Sequence, residues 1–214
     1  MITIDLLKFT RYLDVKCPVG LVQRGENLGN YNIGMDLYMP KNTEEFHQAI
    51  LKANEKVYLG IYISDYEVEN CKYLKFCDDD DNLILEIIKD NIGEVTYNIY
   101  KPIQIPTGIG VLIPENVWGE IRSKSSNFSI GFDQKHGTID MNYTYGMGVQ
   151  IDPVLGRTVV LQPDQKFSQL VFHEAVPILE TLEIPLNEWD QMTEVIDRRT
   201  IRTGGFGSTK KFDK

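Results

Sequence analysis

Short apolar runs rich in β-branched and aromatic residues dominate the hydrophobic pattern along this 214-residue chain. Glycine, proline and asparagine separate these runs, as expected for short strands joined by tight turns. Pro106-Thr107-Gly108 and Pro114-Glu115-Asn116 are two such turns. The predicted strands span residues 96–105, 109–113, 148–151, 158–161 and 169–171. The pattern therefore predicts an all-β protein.

One segment changes to a helical period. Asn42 can cap a helix with Glu45 at its third position, and apolar residues then recur on one face of that helix. These residues are Phe46, Ala49, Ile50 and Ala53. We therefore predict a helix over about residues 43–56, followed by apolar runs at 57–63 and 83–88.

The spacing of two groups of potential metal ligands indicates whether they form metal sites. Asp78 to Asp81 are four consecutive aspartates that form either a solvated loop or a divalent-cation site. The spacing and bidentate partner of a calcium loop are missing, which favours the solvated loop. Cys17, Cys71 and Cys77 lack paired metal-ligand spacing, so we expect reduced thiols rather than a zinc site.

The composition suits one globular domain, because 42% of the residues are hydrophobic and can form a core. The formal net charge of -9 argues against a general nucleic-acid binder, which needs a basic surface. No apolar run approaches the length of a membrane span, and the first residues lack a basic region followed by an apolar one. We therefore expect a cytoplasmic protein that binds neither nucleic acid nor membrane.

A glycine-rich hexapeptide, Gly204-Gly205-Phe206-Gly207-Ser208-Thr209, lies near the C-terminus. Glycines reach left-handed backbone angles at little cost, so successive amides can turn toward one anion, and Ser208 and Thr209 add hydroxyl donors. Phe206 offers a flat face for a nucleobase. Residues 198–214 are therefore predicted to form a flexible clasp over a nucleotide, the alternative being a terminal tail that binds nothing.

Five segments, read in order, resemble the five motifs of the homotrimeric dUTPases. They are Gly34-Met35-Asp36-Leu37, Arg122-Ser123, Gly137-Thr138-Ile139-Asp140-Met141-Asn142-Tyr143, Gln162-Pro163-Asp164-Gln165-Lys166-Phe167-Ser168-Gln169-Leu170 and the C-terminal hexapeptide. The similarity covers about residues 1–40 and 96–209, which leaves 41–94 as an insertion within a single domain, 1–214. The resemblance implies an all-β, distorted jelly-roll-like barrel with a mixed helix and strand insertion. It also implies a homotrimer with three shared active sites.

The resemblance further implies Mg²⁺-assisted hydrolysis of dUTP to dUMP and pyrophosphate. Asp140 would activate the water that attacks the α-phosphate, and Asp36 would lie near Arg122 and support it. The expected substrate-binding residues are Arg122, Ser123, Tyr143, Gln169, Phe206, Gly207, Ser208 and Thr209, with Lys124, Lys166 and Arg202 as further candidates for phosphate. Mg²⁺ would arrive on the nucleotide, held by phosphate oxygens and water, so we assign no protein metal ligands.

Several positions depart from the family pattern. Asn142 and Tyr145, in and just after the third motif, are unusual for the family. Lys124, which directly follows the second motif Arg122-Ser123, is also unusual. In the last motif the usual arginine position is Ile201, so Arg202 or Arg199 takes its place. Residues 133–136 replace the small residue and asparagine that read the base.

Two other functions stay open at this point. The dCTP deaminases share the barrel and the trimer, but they need a glutamate where this chain has Gln150, and glutamine cannot shuttle a proton. The second alternative is a regulator that binds a partner protein through residues 41–94, since long insertions in compact domains are often functional. Additions of this kind occur in phage and viral dUTPases, so a phage source is also open. Turnover of dUTP separates an enzyme from such a regulator.

Overall fold

The computed structural model describes residues 8–18, 34–140 and 146–174, apart from the side chain of Leu155. Within these ranges the chain forms fourteen strands, two helices and one 3₁₀ turn. The strands are β1 (Lys8–Arg11), β2 (Gly34–Tyr38), β3 (Tyr62–Val68), β4 (Cys71–Cys77), β5 (Leu83–Lys89), β6 (Val95–Ile99), β7 (Ile103–Pro106), β8 (Ile109–Leu112), β9 (Val117–Arg122), β10 (Phe132–Gln134), β11 (Gly137–Ile139), β12 (Gly148–Pro153), β13 (Val159–Leu161) and β14 (Lys166–Glu174). The helices are α1 (Glu44–Asn54) and α2 (Asn127–Ile130), and the 3₁₀ turn is Val154–Gly156.

The strands pair in four antiparallel sheets, with the orders β1-β8, β10-β12-β7, β11-β9-β14-β2 and β13-β6-β5-β4-β3. In β9 the residues alternate, so that Val117, Gly119 and Ile121 are buried while the residues between them face outward. The inner faces contribute to one hydrophobic core. The all-β class predicted from the sequence, built from antiparallel sheets, is confirmed.

The predicted helix is present, but its cap is a different residue. α1 runs from Glu44 to Asn54, and the side chain of Thr43 accepts a hydrogen bond from the backbone N–H of Phe46 at 3.3 Å. Asn42 is therefore not the cap. Its side-chain oxygen instead lies 2.5 Å from Nε2 of His47. Both residue types cap helices well, and Thr43 is the one placed three residues before the N–H that it satisfies.

The predicted strand over 96–105 is interrupted. β6 ends at Ile99 and β7 begins at Ile103, and Pro102 between them has no N–H to donate to a ladder. The backbone N–H of Tyr100 instead donates to the carbonyl of Ile84 at 2.9 Å. The chain therefore leaves one sheet and joins another within a few residues.

Residues 41–94 share their packing with the rest of the fold. They supply α1 and add β5, β4 and β3 to the sheet that begins with β13 and β6. Phe46 of α1 packs edge to face on Tyr97 of β6, with ring centroids 5.8 Å apart. Asn54 donates to the carbonyl of Gln104 and accepts from its N–H, both at 2.8 Å. This segment therefore closes part of the core.

Asn54→Ala is expected to lower the free energy of unfolding by about 2–4 kcal/mol, because it leaves both backbone groups of Gln104 without their partner. Urea denaturation of the two proteins measures this difference. Gln48→Ala is the matched control on the same helix, since Gln48 bonds only at the surface to Glu44. Equal stability of Asn54→Ala and the wild type would show that this bridge does not hold α1 in place.

Neither helix in the described part of the chain is long and apolar enough to cross a bilayer.

Candidate active site

The outward face of the sheet β11-β9-β14-β2 brings three of the predicted residues into one row. The register places Gln169 of β14 opposite both Asp36 of β2 and Arg122 of β9. Directly opposed residues of antiparallel strands lie on the same face of a sheet. Segments far apart in the sequence therefore present three polar side chains side by side.

Hydrogen bonds tie the end of β9 to β14. Nε2 of Gln169 donates to the carbonyl of Ser123 at 3.2 Å, and Oγ of Ser168 donates to the carbonyl of Arg122 at 3.1 Å. A Cβ atom at Gly34 would lie 3.1 Å from Oε1 of Gln169, which is closer than an ordinary contact, so a larger residue there would press on this side chain. The backbone that carries Arg122 and Ser123 is thus held by the strand that carries Gln169.

Asp36 does not make the expected contact with Arg122. Its carboxylate pairs with two lysines: Nζ of Lys166 lies 2.7 Å from Oδ2, and Lys124 contacts Oδ1. Arg122 lies two strands away, with its Nε 3.5 Å from Oε2 of Glu120. The reason is topological, because β14 lies between β2 and β9. The two lysines predicted as candidates for phosphate are both anchored on Asp36.

The charge of Asp36 is stabilised by these lysines. Burial alone would raise its pKa, but the hydrogen bonds and positive charges of Lys124 and Lys166 lower the pKa below its ordinary value. A carboxylate with a lowered folded-state pKa stabilises the fold above its unfolded pKa, near 4, and loses that contribution as the pH falls through the folded pKa.

Asp36→Asn should therefore cost about 1 kcal/mol of unfolding free energy at pH 7, and the difference from wild type should shrink below about pH 4. Urea midpoints at pH 7, 5 and 3 measure it. Asp14→Asn is a control, because Asp14 pairs with Lys41 through side chains that are 54% and 49% exposed. A cost that stays the same at pH 3 would contradict this ionic account of Asp36.

Asp140 lies apart from the row within one chain. It is exposed and directly follows β11, whose last residue, Ile139, pairs with Gly119 of β9. Arg122 is three residues further along β9, which at about 3.4 Å per residue separates the two positions by roughly 10 Å or more. The predicted base and the predicted phosphate-binding arginine are therefore not neighbours on the sheet of a single chain.

Part of the predicted site lies outside the described residues. This applies to Tyr143, to Asn142 and Tyr145, and to the whole segment 198–214 with its arginines and hexapeptide. Their assigned roles stay predictions.

Gln134 lies within the described residues. Its side chain is buried, at 3% exposure, in the segment 133–136 that the sequence comparison aligned with the base-reading residues of the family. Nδ2 of Asn127 lies 3.4 Å from its Oε1.

A cluster around Glu120 escaped the sequence analysis. Glu120 accepts hydrogen bonds from Nδ1 of His136 at 3.1 Å and from Nε2 of His173 at 2.9 Å. His173 stacks on Trp118 with ring centroids 4.4 Å apart. Burial would raise the pKa of Glu120, but the bonds from both histidines and the charge of Arg122 lower it. The available signal was the alternation of Trp118, Glu120 and Arg122 on one face of β9.

No family model matches the chain, but sequence relatives do. It is 30% identical over 122 residues to the deoxyuridine 5'-triphosphate nucleotidohydrolase of Caldanaerobacter subterraneus subsp. tengcongensis, covering 55% of this chain and 74% of that protein. It is 32% identical over 131 residues to the Chlamydia trachomatis protein of the same name, covering 55% of this chain and 82% of that one.

Solved structures of phage dUTPases superpose only partially. The Staphylococcus bacteriophage 80alpha dUTPase with dUPNHPP is 15% identical, with 97% of this chain and 99% of that one covered and a TM-score of 0.48. The dUTPase from phage phi11 of S. aureus is 15% identical, with 84% and 97% covered and a TM-score of 0.45. The assignment therefore rests on the two sequence relatives, each at least 30% identical and covered over more than two thirds of its length. On that basis, the chain belongs to the deoxyuridine 5'-triphosphate nucleotidohydrolase, or dUTPase, family.

Proposed function

We propose that this protein hydrolyses dUTP to dUMP and pyrophosphate. The observation that carries the proposal is the row formed by Asp36, Gln169 and Arg122, in which three family motifs converge on the outward face of one sheet. Chance sequence similarity would not require segments about 130 residues apart to pair in a register that aligns these side chains. Membership of the family is the reason for proposing dUTP as the substrate, and the row is the surface proposed to bind its phosphates.

The residues at and beside the row suit a triphosphate. Arg122 offers a guanidinium fork, which binds phosphate oxygens in pairs, and Ser123 adds a hydroxyl group. Lys124 and Lys166 add two further positive charges. Both pair with the carboxylate of Asp36 and therefore lie beside the row. Fixed positive charges balance the charge that develops on the phosphate oxygens during attack.

The donor set also fits Mg²⁺ carried by the nucleotide. Arg122, Lys124, Lys166 and the amide of Gln169 offer donors for phosphate oxygens, and the carboxylate of Asp36 is already paired with the two lysines. Asp140 is an exposed carboxylate that can accept a proton from water. When bound, Mg²⁺ would neutralise phosphate charge and fix the geometry of the phosphates. Asp140 would orient the attacking water and take its proton.

The separation of Asp140 from Arg122 supports a site shared between subunits. Within one chain the backbone positions of these two groups lie roughly 10 Å or more apart along the sheet, which leaves room for a second subunit to supply one of them. We infer that one subunit supplies Arg122, Ser123 and Gln169, a second supplies Asp140 and Tyr143, and a third lends Phe206. This is the homotrimer that the family resemblance implies.

A second function, binding of a partner protein through residues 41–94, is favoured by the charge of that segment. It contains thirteen acidic residues and six lysines, and its strand β3 forms the edge of the five-stranded sheet. Tyr62 and Tyr66 are exposed on this strand. Such a surface suits a basic partner, and this binding is compatible with catalysis at the row.

A substrate panel tests the proposal. The purified protein with Mg²⁺ is given dUTP, dCTP, dTTP and UTP, and both pyrophosphate release and deamination are followed. We expect pyrophosphate from dUTP at a rate at least about ten-fold above the other nucleotides. Deamination of dCTP would instead indicate a deaminase, and failure to hydrolyse dUTP would overturn the proposed activity.

A further inference from the structure

Glu120 lies at the centre of a cluster that joins strands β9 and β14 to the loop before β11 and includes Arg122 of the row. The Glu120 cluster consists of Glu120, Arg122, His136, His173 and Trp118. Its charged and titratable members come from β9, from the segment between β10 and β11, and from β14. Two of the three histidines in the whole chain donate to this one carboxylate.

Each oxygen of Glu120 has a defined partner. Oε1 accepts from His136, whereas Oε2 accepts from His173 at 2.9 Å and lies 3.5 Å from Nε of Arg122. The side chain is 19% exposed, so water competes only partly for these contacts. Trp118 stacks on His173 and restricts the orientation of that ring. The carboxylate is therefore held from two sides before it meets the arginine.

The position of Glu120 allows the guanidinium of Arg122 to bind a phosphate group. Glu120 lies on the Nε side of the guanidinium, and within the described part of the chain the two terminal nitrogens have no other acceptor, so they can donate to a phosphate. A phosphate group binds best to two donors of the same fork, provided that the fork has a fixed orientation. An arginine that is 47% exposed at its side chain would otherwise sample many rotamers.

The described residues contain no group of three or more His, Cys, Asp or Glu side chains that could hold a metal. Both histidines are hydrogen-bonded to the carboxylate of Glu120.

We propose that Glu120 is a positioning residue that orients the guanidinium of Arg122 toward the nucleotide triphosphate, with His136 and His173 fixing the carboxylate. This inference rests on one part of the proposed function, namely that Arg122 binds the triphosphate of the nucleotide. Glu120 acts through Arg122, so its loss weakens nucleotide binding more than the chemical step.

Glu120→Gln is the first variant, because it keeps the shape and removes the charge. We expect its KM for dUTP to rise about ten-fold, with kcat within about three-fold of wild type. Glu120→Asp keeps the charge and should recover part of the lost affinity. Glu115→Gln, an exposed residue just before β9, is the matched control and should behave as wild type. Thermal unfolding of every variant separates misfolding from a local effect.

A double-mutant cycle with Arg122→Gln decides whether Glu120 acts through the arginine. In the Arg122→Gln background, Glu120→Gln should change KM by less than about two-fold. A ten-fold effect that persists without the arginine would overturn the proposal, as would a Glu120→Gln variant with the wild-type KM while the wild type hydrolyses dUTP.

Failure of the proposed function gives a different result. If the wild type does not hydrolyse dUTP, binding of a non-hydrolysable dUTP analogue replaces KM as the readout. Weaker binding by Glu120→Gln then supports the positioning role without hydrolysis. Equal binding by the two proteins, or no binding by the wild type, overturns it.

Discussion

Asp140→Asn is expected to lower kcat for dUTP hydrolysis by about 10²–10⁴-fold, because the substitution keeps the shape of the side chain and removes the base. Asp140 is exposed at the end of β11 and belongs to no part of the hydrophobic core. Folding and dUTP binding should therefore stay close to wild type. Steady-state kinetics, with urea denaturation and binding of a non-hydrolysable dUTP analogue, measure these three properties.

A matched substitution controls for the loss of a surface charge. Asp80→Asn removes an exposed carboxylate from the acidic loop between β4 and β5 and should leave hydrolysis within about two-fold of wild type. If Asp140→Asn also retains turnover within a few-fold of wild type, Asp140 is not the base.

Removal of residues 202–214 is expected to lower turnover by about 10²-fold without unfolding the protein. The sequence assigns the glycine-rich hexapeptide to the nucleotide phosphates and Phe206 to the base, so its loss should leave the substrate poorly positioned. The core of the described residues is built within 8–174 and should not depend on this segment. The kcat and the urea midpoint of the truncated protein test both statements.

A shorter truncation provides the control for this prediction. Removing only residues 212–214 spares the hexapeptide and should leave kcat unchanged. Full activity of the protein that lacks 202–214 would show that the terminus is a passive tail.

The row of site residues could be anticipated because local patterns and family motifs agreed. β2 and β9 alternate buried and outward residues. β14 is less regular, with Phe167 and Ser168 and then Leu170 and Val171 buried on either side of Gln169. Its register with β2 and β9 aligns Asp36, Gln169 and Arg122. The helical period likewise located α1 within two residues at each end. Patterns of this kind are local, so a single sequence contains them.

Contacts between distant segments could not be anticipated in the same way. The pairing of Asp36 with Lys124 and Lys166 depends on which strand lies between β2 and β9, and the sequence does not specify this order. The Glu120 cluster likewise joins residues from three elements. The apolar run 57–63 shows that hydrophobicity alone does not locate a strand, because Val57 and Leu59 are 66% and 79% exposed and β3 begins only at Tyr62.

Mixed trimers test the shared active site most directly. Asp140→Asn subunits and subunits lacking 202–214 are each expected to be nearly inactive alone. When the two are dissociated, mixed and reassembled, some sites should combine an intact Asp140 with an intact clasp, because different subunits supply them. We predict that dUTP hydrolysis then rises well above that of either parent treated in the same way. Mixed assemblies that form but stay as inactive as their parents would contradict the shared site.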